Sequence, residues 1–382
     1  MTFLRLPTPE RSCARIVAAS MLLLAAACGD QHPVEVQRPT VGSVPETALQ
    51  AFDCTANIRA AAVNCAPAAP AGSGSRNILG GQNSLLKLTS SNVSYNPGTQ
   101  IFQFDVTVQN LLNEAMGTPD GTVPDPDGIR VFFHAGPAVT SGTGTATVAN
   151  ADGVADITGT QQPYFRYNQI LPRNAVSSAK TWQLSVPPSA GTVAFKMYIE
   201  TDVQYLLVIN EVLANPVGLV STEQPAEYFE VYNAGTLSVN MKGLVIADSA
   251  ASGRRPYHLV ANSLKVAPGA YVTLGGSTNP ASNLGATIDY SYGGSFSLAN
   301  SLDAIKIARV YGTDTLTLDR TQYASAATSA QEGISRELRN PALDNSNMDG
   351  SNWATTAVTA TYTYGSTTTR GTPKAQNSTY TP

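Results

Sequence analysis

Two stretches near the middle of the chain show the alternation of a pair of β-strands. Residues 206–216 end in an Asn-Pro turn, and residues 227–235 end in an Asn-Ala-Gly turn. In the second stretch Phe229 and Val231 fall on one face, while Glu230 falls on the other face between two tyrosines. We therefore expect a strand pair with one face on a core and the other face solvated.

Short extended segments separated by turns rich in Gly, Pro, Asn and Asp recur through residues 76–204. The segment at 101–109 places four apolar side chains on one face: Phe102, Phe104, Val106 and Val108. Such a face must lie over a core. We expect the Trp182 segment to form a hairpin with the Phe195 segment that follows it. About seven strands in this span predict an immunoglobulin-like sandwich.

The same pattern continues beyond residue 205. Further strands are predicted at 244–248, 257–260, 264–274, 296–300, 304–308 and 315–318. The predicted fold class is all-β, with two Ig-like β-sandwiches in tandem after a leader and a flexible tether. The predicted boundaries are 76–204 for the first sandwich, 205–377 for the second and 378–382 for a short tail.

The order of motifs in the second half resembles the lamin tail domain. The matching pieces are Ile209-Asn-Glu-Val-Leu-Ala-Asn-Pro216, Glu227-Tyr-Phe-Glu-Val-Tyr-Asn233 and the stretches 244–248, 266–274, 296–305 and 371–377. The chain departs from the family where Leu244 stands in place of a Trp and where Ser301-Leu-Asp303 replaces Gly-Asp. The resemblance implies an Ig-like sandwich of secreted or membrane-attached bacterial proteins, used for attachment or partner binding. It implies no catalytic residues.

Composition supports an extracellular β-protein. Charged residues make up 13% of the chain, and it contains 31 Gly and 24 Pro. The formal net charge of −4 offers no general positive field for a phosphate backbone. Nucleic acid is therefore an unfavoured partner.

The amino terminus has the pattern of a lipoprotein signal peptide at residues 1–27. Three arginines precede an apolar run at 16–27 that is too short to span a bilayer. The run ends in Leu24-Ala-Ala-Ala-Cys28, which resembles a bacterial lipobox and implies a lipid on Cys28. The alternative is an ordinary signal peptide cut after Ala27.

Residues 28–75 are predicted to be the lipidated cysteine, a Pro-bearing tether and a small disulfide loop. Cys13 lies in the leader and Cys28 would carry lipid, so Cys54 and Cys65 remain to pair in an oxidising compartment. The small loop they close would contribute roughly 2–3 kcal/mol. Metal binding by these two cysteines is disfavoured, because no further ligands lie at the usual spacing.

No catalytic pattern emerges from the sequence. His32, His134 and His258 are scattered, and the chain contains no nucleophile elbow, zinc motif or phosphate loop. Glu227 and Glu230, placed on one strand, would point to opposite faces and could not act as an acid and base pair. We predict that the protein is not an enzyme.

Two acidic loops could supply oxygen ligands to calcium. The first contains Asp120, Asp125 and Asp127, and the second contains Asp344, Asn345, Asn347 and Asp349. Neither has the terminal glutamate of an EF-hand. The favoured interpretation is that these residues form turns, with no cofactor bound.

Four tyrosines could form an aromatic binding surface: Tyr290, Tyr292, Tyr362 and Tyr364. The favoured alternative is that they occupy half-buried strand positions.

The sequence thus predicts a non-catalytic cell-envelope lipoprotein that displays β-sandwich domains at the outer membrane or cell surface of a bacterium. Its expected partners are the membrane, through the lipid on Cys28, and an unidentified protein or glycan. Two alternatives stay open: an accessory ligand-binding module of a secreted hydrolase or nuclease system, and an enzyme with an unrecognised site.

Overall fold

The computed structural model describes residues 50–67, 78–218, 223–248, 257–311, 314–324 and 331–382, and also a pairing of Ser43–Val44 (β1) with Gly74–Ser75 (β4). Strands dominate these residues, and their helical turns are the 3₁₀ turns Gln224–Ala226 and Gly293–Ser295. Within the described part of the chain, no helix is long and apolar enough to cross a membrane. The predicted all-β class is confirmed.

The first half of the chain forms two antiparallel sheets. The larger sheet has the order β10-β11-β8-β13-β2-β3, with β5 paired to the end of β13. Its strands are β2 (Phe52–Asn57), β3 (Ala62–Pro67), β5 (Ile78–Leu79), β8 (Ile129–Gly142), β10 (Gly153–Ala155), β11 (Gln162–Tyr167) and β13 (Ala190–Glu200). The smaller sheet has the order β6-β7-β12-β9. Its strands are β6 (Leu86–Asn96), β7 (Ile101–Asn110), β9 (Thr147–Val148) and β12 (Lys180–Ser185).

An aromatic core lies between these two sheets. Alternate residues of β7 are buried, which confirms the apolar face predicted for this strand. Trp182 of the smaller sheet stacks on Phe165 of the larger sheet, with ring centroids 4.4 Å apart. Phe133 lies against both rings. Large rings from opposite sheets therefore fill the space between the layers.

The disulfide segment belongs to this sandwich, so the predicted start of the domain at residue 76 is wrong. β2 and β3 form a hairpin, and β2 pairs with β13 inside the larger sheet. Phe52, Cys54 and Ala56 alternate into the core. The segment has few large apolar residues and several alanines. The alternation of buried and exposed positions could therefore not be recognised in the sequence.

The predicted hairpin between the Trp182 and Phe195 segments is also wrong. β12 pairs with β7 and β9, whereas β13 pairs with β8, β2 and β5 in the other sheet. The connection between them contains Pro187 and Pro188. Because proline has no backbone N–H and a fixed φ, this connection is poorly suited to a tight hairpin. The chain crosses here from one sheet to the other.

The second half repeats the two-layer arrangement. One sheet has the order β21-β20-β15-β14-β24-β25. Its strands are β14 (Leu207–Leu213), β15 (Tyr228–Asn233), β20 (Tyr271–Gly275), β21 (Tyr290–Ser291), β24 (Arg336–Leu338) and β25 (Trp353–Thr355). The other sheet has the order β18-β17-β22-β23. Its strands are β17 (Leu244–Asp248), β18 (Tyr257–Leu259), β22 (Asp303–Tyr311) and β23 (Asp314–Tyr323).

Two short ribbons complete this half: β16 (Val239–Asn240) with β19 (Lys265–Val266), and β26 (Thr361–Tyr364) with β27 (Thr367–Arg370). The antiparallel pairing of β14 with β15 confirms the strand pair predicted from the sequence. Their apolar face meets Ile246, Ile305 and Ile307 of the opposite sheet.

The strand predicted at 296–300 is wrong, because side chains occupy the backbone groups of that segment. Glu227 accepts the Leu298 N–H at 2.7 Å. Gln224 donates its side-chain amide to the Phe296 carbonyl at 3.0 Å. A backbone satisfied in this way needs no neighbouring strand.

The polar face of β15 is not solvated, contrary to the prediction. Tyr228 and Glu230 are fully buried, as is the apolar face of the strand. The C-terminal residues cover this face, and they include the predicted tail. Ser378 donates to Glu337 at 2.8 Å, and the Thr381 N–H donates to the Arg339 carbonyl at 2.9 Å. The six-stranded sheet is therefore covered on both faces.

Contacts also join the two halves. Arg309 pairs with Asp202 at 3.3 Å, and both side chains are almost fully buried. Glu114 of the first half accepts the Thr236 and Leu237 N–H groups, each at 2.8 Å. Residues Pro39–Pro382 accordingly form one compact unit.

Candidate functional site

The predicted site residues do not come together at one place in the described part of the structure. Cys28 and His32 lie outside the described residues. Cys54 and Cys65 are joined by a disulfide and face each other across β2 and β3. The acidic loops and the tyrosines lie far along the chain from this pair, in other turns and strands.

The first acidic loop uses its carboxylates to hold turns. Asp120 accepts the Thr122 and Val123 N–H groups at 2.8 and 2.7 Å. Asp125 is buried and accepts the Asp202 N–H at 2.8 Å, and its other oxygen accepts the Asp127 N–H. Oxygens aimed at backbone amides in this way form the turns that Asp favours.

The second acidic loop is organised in the same manner. Asp344 accepts the Ser346 N–H at 2.9 Å, and Asn347 accepts the Asp349 N–H at 3.0 Å. Asp349 pairs with Arg336 at 2.7 Å, while the Asn345 amide donates to the Ile209 carbonyl. Across the described ranges, no three His, Cys, Asp or Glu side chains are grouped to hold a metal ion. Calcium binding by either loop stays a prediction.

The four tyrosines do not form one exposed surface. Tyr290 and Tyr292 are buried, and Tyr362 is half-buried over the six-stranded sheet. Tyr364 is exposed. Tyr290, Tyr292 and Tyr362 therefore occupy the partly or fully buried positions that the sequence analysis favoured over an aromatic binding surface.

One histidine and one serine make a contact that resembles a catalytic pair. His258 Nδ1 lies 2.6 Å from Ser295 Oγ, and His258 Nε2 lies 2.7 Å from the Tyr290 hydroxyl. Ser295 Oγ donates its proton to the Tyr292 carbonyl at 2.6 Å. His258 Nδ1–H must then donate to the serine, and Nε2 accepts from Tyr290.

The direction of these hydrogen bonds is the reverse of the one that nucleophilic catalysis by Ser295 requires. A general base must receive the proton of the nucleophile, whereas the Ser295 proton is directed at a carbonyl. Partial burial lowers the pKa of His258, in keeping with a neutral ring that joins β18 to β21 and to the 3₁₀ turn Gly293–Ser295.

A row of three buried glutamates is the densest polar cluster that the sequence analysis missed. Glu211 on β14 lies directly opposite Glu230 on β15 and opposite Glu337 on β24. We call these three residues the glutamate row; all are fully buried. A β-bulge beside Asn210 lets its amide donate to Glu230 at 2.9 Å.

The covering segment, residues 371–379, supplies most of the remaining donors. The Thr372 N–H donates to Glu211 at 2.9 Å, and the Lys374 N–H donates to Glu230 at 2.5 Å. Ser378 and Thr379 donate to Glu337. This segment begins with Gly371, where a Cβ atom would lie 3.0 Å from a Glu211 oxygen and closer still to the Tyr228 hydroxyl. Close packing of the backbone on the carboxylates therefore requires glycine at this position.

A shared hydroxyl links Glu211 and Glu337. Thr372 Oγ1 lies 3.0 Å from Glu211 Oε2 and 2.8 Å from Glu337 Oε1. A hydroxyl has one proton to donate. Both contacts are hydrogen bonds only if one carboxyl is protonated and donates to the threonine oxygen.

Burial favours the neutral forms of Glu211 and Glu230. No ion pair reaches the glutamate row among the described residues, since Arg336 pairs with Asp349 and Lys374 pairs with Asp289. Burial and the charge of Glu211 raise the pKa of Glu230 to about 9. Burial also raises the pKa of Glu211. The row is thus a hydrogen-bonded clasp for the C-terminal residues, in which burial favours the neutral forms of Glu211 and Glu230.

Sequence signals for this row existed but were weak. Glu211 and Glu230 stand in extended apolar segments, and the motif at 371–377 belongs to the resemblance. Only the pairing register shows that the three side chains are neighbours.

Two cavities open on the first half. One, of about 410 Å³, lies between the edge strands β3 and β6 and extends over Phe104, Trp182 and Phe195. These three rings are at most 2% exposed, so the floor of this cavity is sealed. The other cavity, of about 260 Å³, is lined by charged and polar side chains alone: Asp152, Tyr164, Arg166, Asn168 and Lys180.

Comparison of the chain with models of known families, with curated proteins and with solved structures finds no match.

Proposed function

We propose that this protein is a non-catalytic cell-envelope lipoprotein that displays β-sandwich domains for binding. The observation that carries the proposal is the His258–Ser295 contact. In it, the serine proton points at a backbone carbonyl instead of the imidazole. This arrangement supports a structural role for the pair, because the serine proton is not directed at the imidazole.

The buried carboxyls support the same proposal. Glu211, Glu227 and Glu230 accept hydrogen bonds from backbone N–H groups of this chain and are shielded from solvent. General acid and base groups must reach a substrate proton, and these groups cannot do so without displacement of the covering backbone.

The finer assignments rest on the sequence. We propose that the second half is a lamin tail domain, that the first half is an Ig-like module, and that Cys28 carries the lipid that anchors the protein at the bacterial surface. The two-layer arrangement of each half suits both domain assignments.

A second candidate function is an accessory ligand-binding module of a secreted hydrolase or nuclease system. The polar cavity of about 260 Å³ in the first half favours it, because a ligand could be held there without any chemistry.

Protease treatment of intact cells tests the proposed anchoring. The natural protein and a Cys28→Ala variant are compared by blotting both cells and medium. We expect loss of the natural protein from intact cells and release of the variant to the medium. Unchanged processing and location of Cys28→Ala would contradict the lipoprotein assignment.

Labelling with a fluorophosphonate, which reacts with activated serines, tests whether Ser295 is an activated nucleophile. We expect no label on Ser295. A label that disappears in both Ser295→Ala and His258→Gln would show an activated nucleophile and would overturn the non-catalytic proposal.

A further inference from the structure

The polar cavity lies where the two sheets of the first half meet. Tyr164 and Arg166 stand on β11, Asp152 precedes β10, and Asn168 follows β11. Lys180 begins β12 in the opposite sheet. Regular strands therefore hold the lining residues, and strands position a site more rigidly than free loops do.

Internal contacts fix the orientation of the charged side chains. Asp152 Oδ2 accepts the Arg166 N–H at 2.7 Å and pairs with Lys180 Nζ at 2.9 Å. The Arg166 Nε–H donates to Asn168 Oδ1 at 2.6 Å. The lining is thus preorganised in the absence of a ligand.

These contacts leave several polar groups of the lining without a partner among the described residues. Within the described chain, no hydrogen bond uses the two terminal nitrogens of Arg166, the Asn168 side-chain NH₂ or Asp152 Oδ1. The neighbouring Arg130 has its own partner, Glu200, at 2.5 Å. Arg166 has only a neutral amide, Asn168, as its side-chain partner among the described residues, and it forms no ion pair there.

The charges and donors select an anion with hydroxyl groups. Two cations and one carboxylate line the cavity, in a chain whose formal net charge is −4. The free fork of Arg166 matches a carboxylate in two-point geometry. Asp152 Oδ1 would repel a purely anionic ligand but would accept a hydrogen bond from a hydroxyl. No aliphatic side chain lines the cavity, so an apolar ligand finds no matching surface.

From this lining we propose that the cavity binds an acidic monosaccharide unit of the uronate type, with its carboxylate on Arg166 and its hydroxyls on Asp152, Asn168 and Tyr164. The volume of about 260 Å³ corresponds to roughly nine water molecules, which suits one sugar ring. This inference deepens the proposed binding role and rests on it. It names the partner as an acidic glycan.

Titration calorimetry on the full-length protein in detergent tests the site, with glucuronate and galacturonate as ligands. We expect saturable binding in the millimolar range, typical of a single small polar ligand. Glucose serves as the neutral control, and acetate and phosphate serve as the anions without a uronate ring. Each of these should bind at least tenfold more weakly than the uronates.

Two matched variants locate the binding. Arg166→Gln should weaken uronate binding at least tenfold. Arg173→Gln, an exposed arginine outside the lining, should leave it unchanged. Equal thermal melting of the two variants ensures that folding does not cause the difference.

Three results would overturn the inference. They are absence of saturable uronate binding, equal losses in both arginine variants, and acetate or phosphate binding as tight as that of the uronates. None of them affects the protease experiment on intact cells. Failure of this site is therefore distinguishable from failure of the proposed surface display.

Discussion

Both halves of the protein consist of two packed sheets, but the side chains buried against those sheets differ between the halves. The first half fills the space between its sheets with stacked aromatic rings, and its buried carboxylates Asp125 and Asp202 hold a turn and an ion pair with Arg309. The second half buries the glutamate row against a sheet that is covered on both faces. A covered polar face requires a complete set of hydrogen bonds, whereas an aromatic core requires only shape.

The pKa values of three carboxyls illustrate the difference between the two halves. Hydrogen bonds from Asn92 and Thr181 lower the pKa of Asp105 in the first half. Burial raises the pKa of Glu227 in the second half to about 8 and that of Asp319 to about 6. The first environment favours the charged form and the second favours the neutral form.

Removal of the central ring should have the largest effect. Trp182→Ala leaves a cavity between the sheets of the first half and should lower the free energy of unfolding by about 3–5 kcal/mol. Urea denaturation followed by fluorescence of the remaining Trp353 measures the loss. Trp182→Phe, which keeps a ring, should lose clearly less. Equal losses in the two variants would contradict a packing origin.

Removal of the central carboxyl should have the next largest effect. Glu211→Ala leaves the Tyr228 hydroxyl and the Thr372 N–H buried without their acceptor. The expected loss is about 3 kcal/mol of unfolding free energy, measured in urea. Asp105→Ala, at the exposed surface of the first half, is the control and should change the urea midpoint far less. A Glu211→Ala protein as stable as the natural one would show that the row does not clasp the C terminus.

Loss of the disulfide should come third. The Cys54→Ala, Cys65→Ala double variant frees a loop with a sequence separation of 11 and should lose about 2–3 kcal/mol. Thermal unfolding under oxidising conditions measures the change. The reducing agent dithiothreitol should destabilise the natural protein by a similar amount and leave the double variant unaffected. Sensitivity of the double variant to dithiothreitol would contradict this assignment.

The most specific effect, and the smallest over a single pH unit, is on pH dependence. Glu230 has a folded pKa of about 9, above its ordinary 4.5, so between these values the folded protein holds a proton that the unfolded chain releases. Stability should therefore be greatest at acidic pH and should fall as pH rises towards 9. The slope is at most about 1.4 kcal/mol per pH unit for one such group.

Glu230→Gln is the matched control for this slope, because it is neutral at every pH and similar in shape. Melting temperatures from pH 5 to pH 9 should decline less steeply in this variant than in the natural protein. A natural protein whose stability rises with pH over this range would contradict the protonated state of Glu230.

Local patterns in the sequence predict many of the strands but not the partner of each strand. The alternation in β7 and the pair β14–β15 follow from residues that are adjacent in the chain. The Trp182 and Phe195 strands are also close in sequence, yet they lie in opposite sheets. Alternation specifies which face of a strand is apolar, and it carries no information on the sheet that receives it.

The sequence by itself determined the all-β class and the apolar faces of the main strands. Only the tertiary structure decided that the disulfide hairpin joins the first sandwich and that the polar face of β15 is buried. It also brought Glu211, Glu230 and Glu337 into one row and placed Arg166 beside Lys180. Alternation is a property of neighbours along the chain, whereas these groupings join residues more than ten positions apart through strand pairing and the contacts of a covering segment.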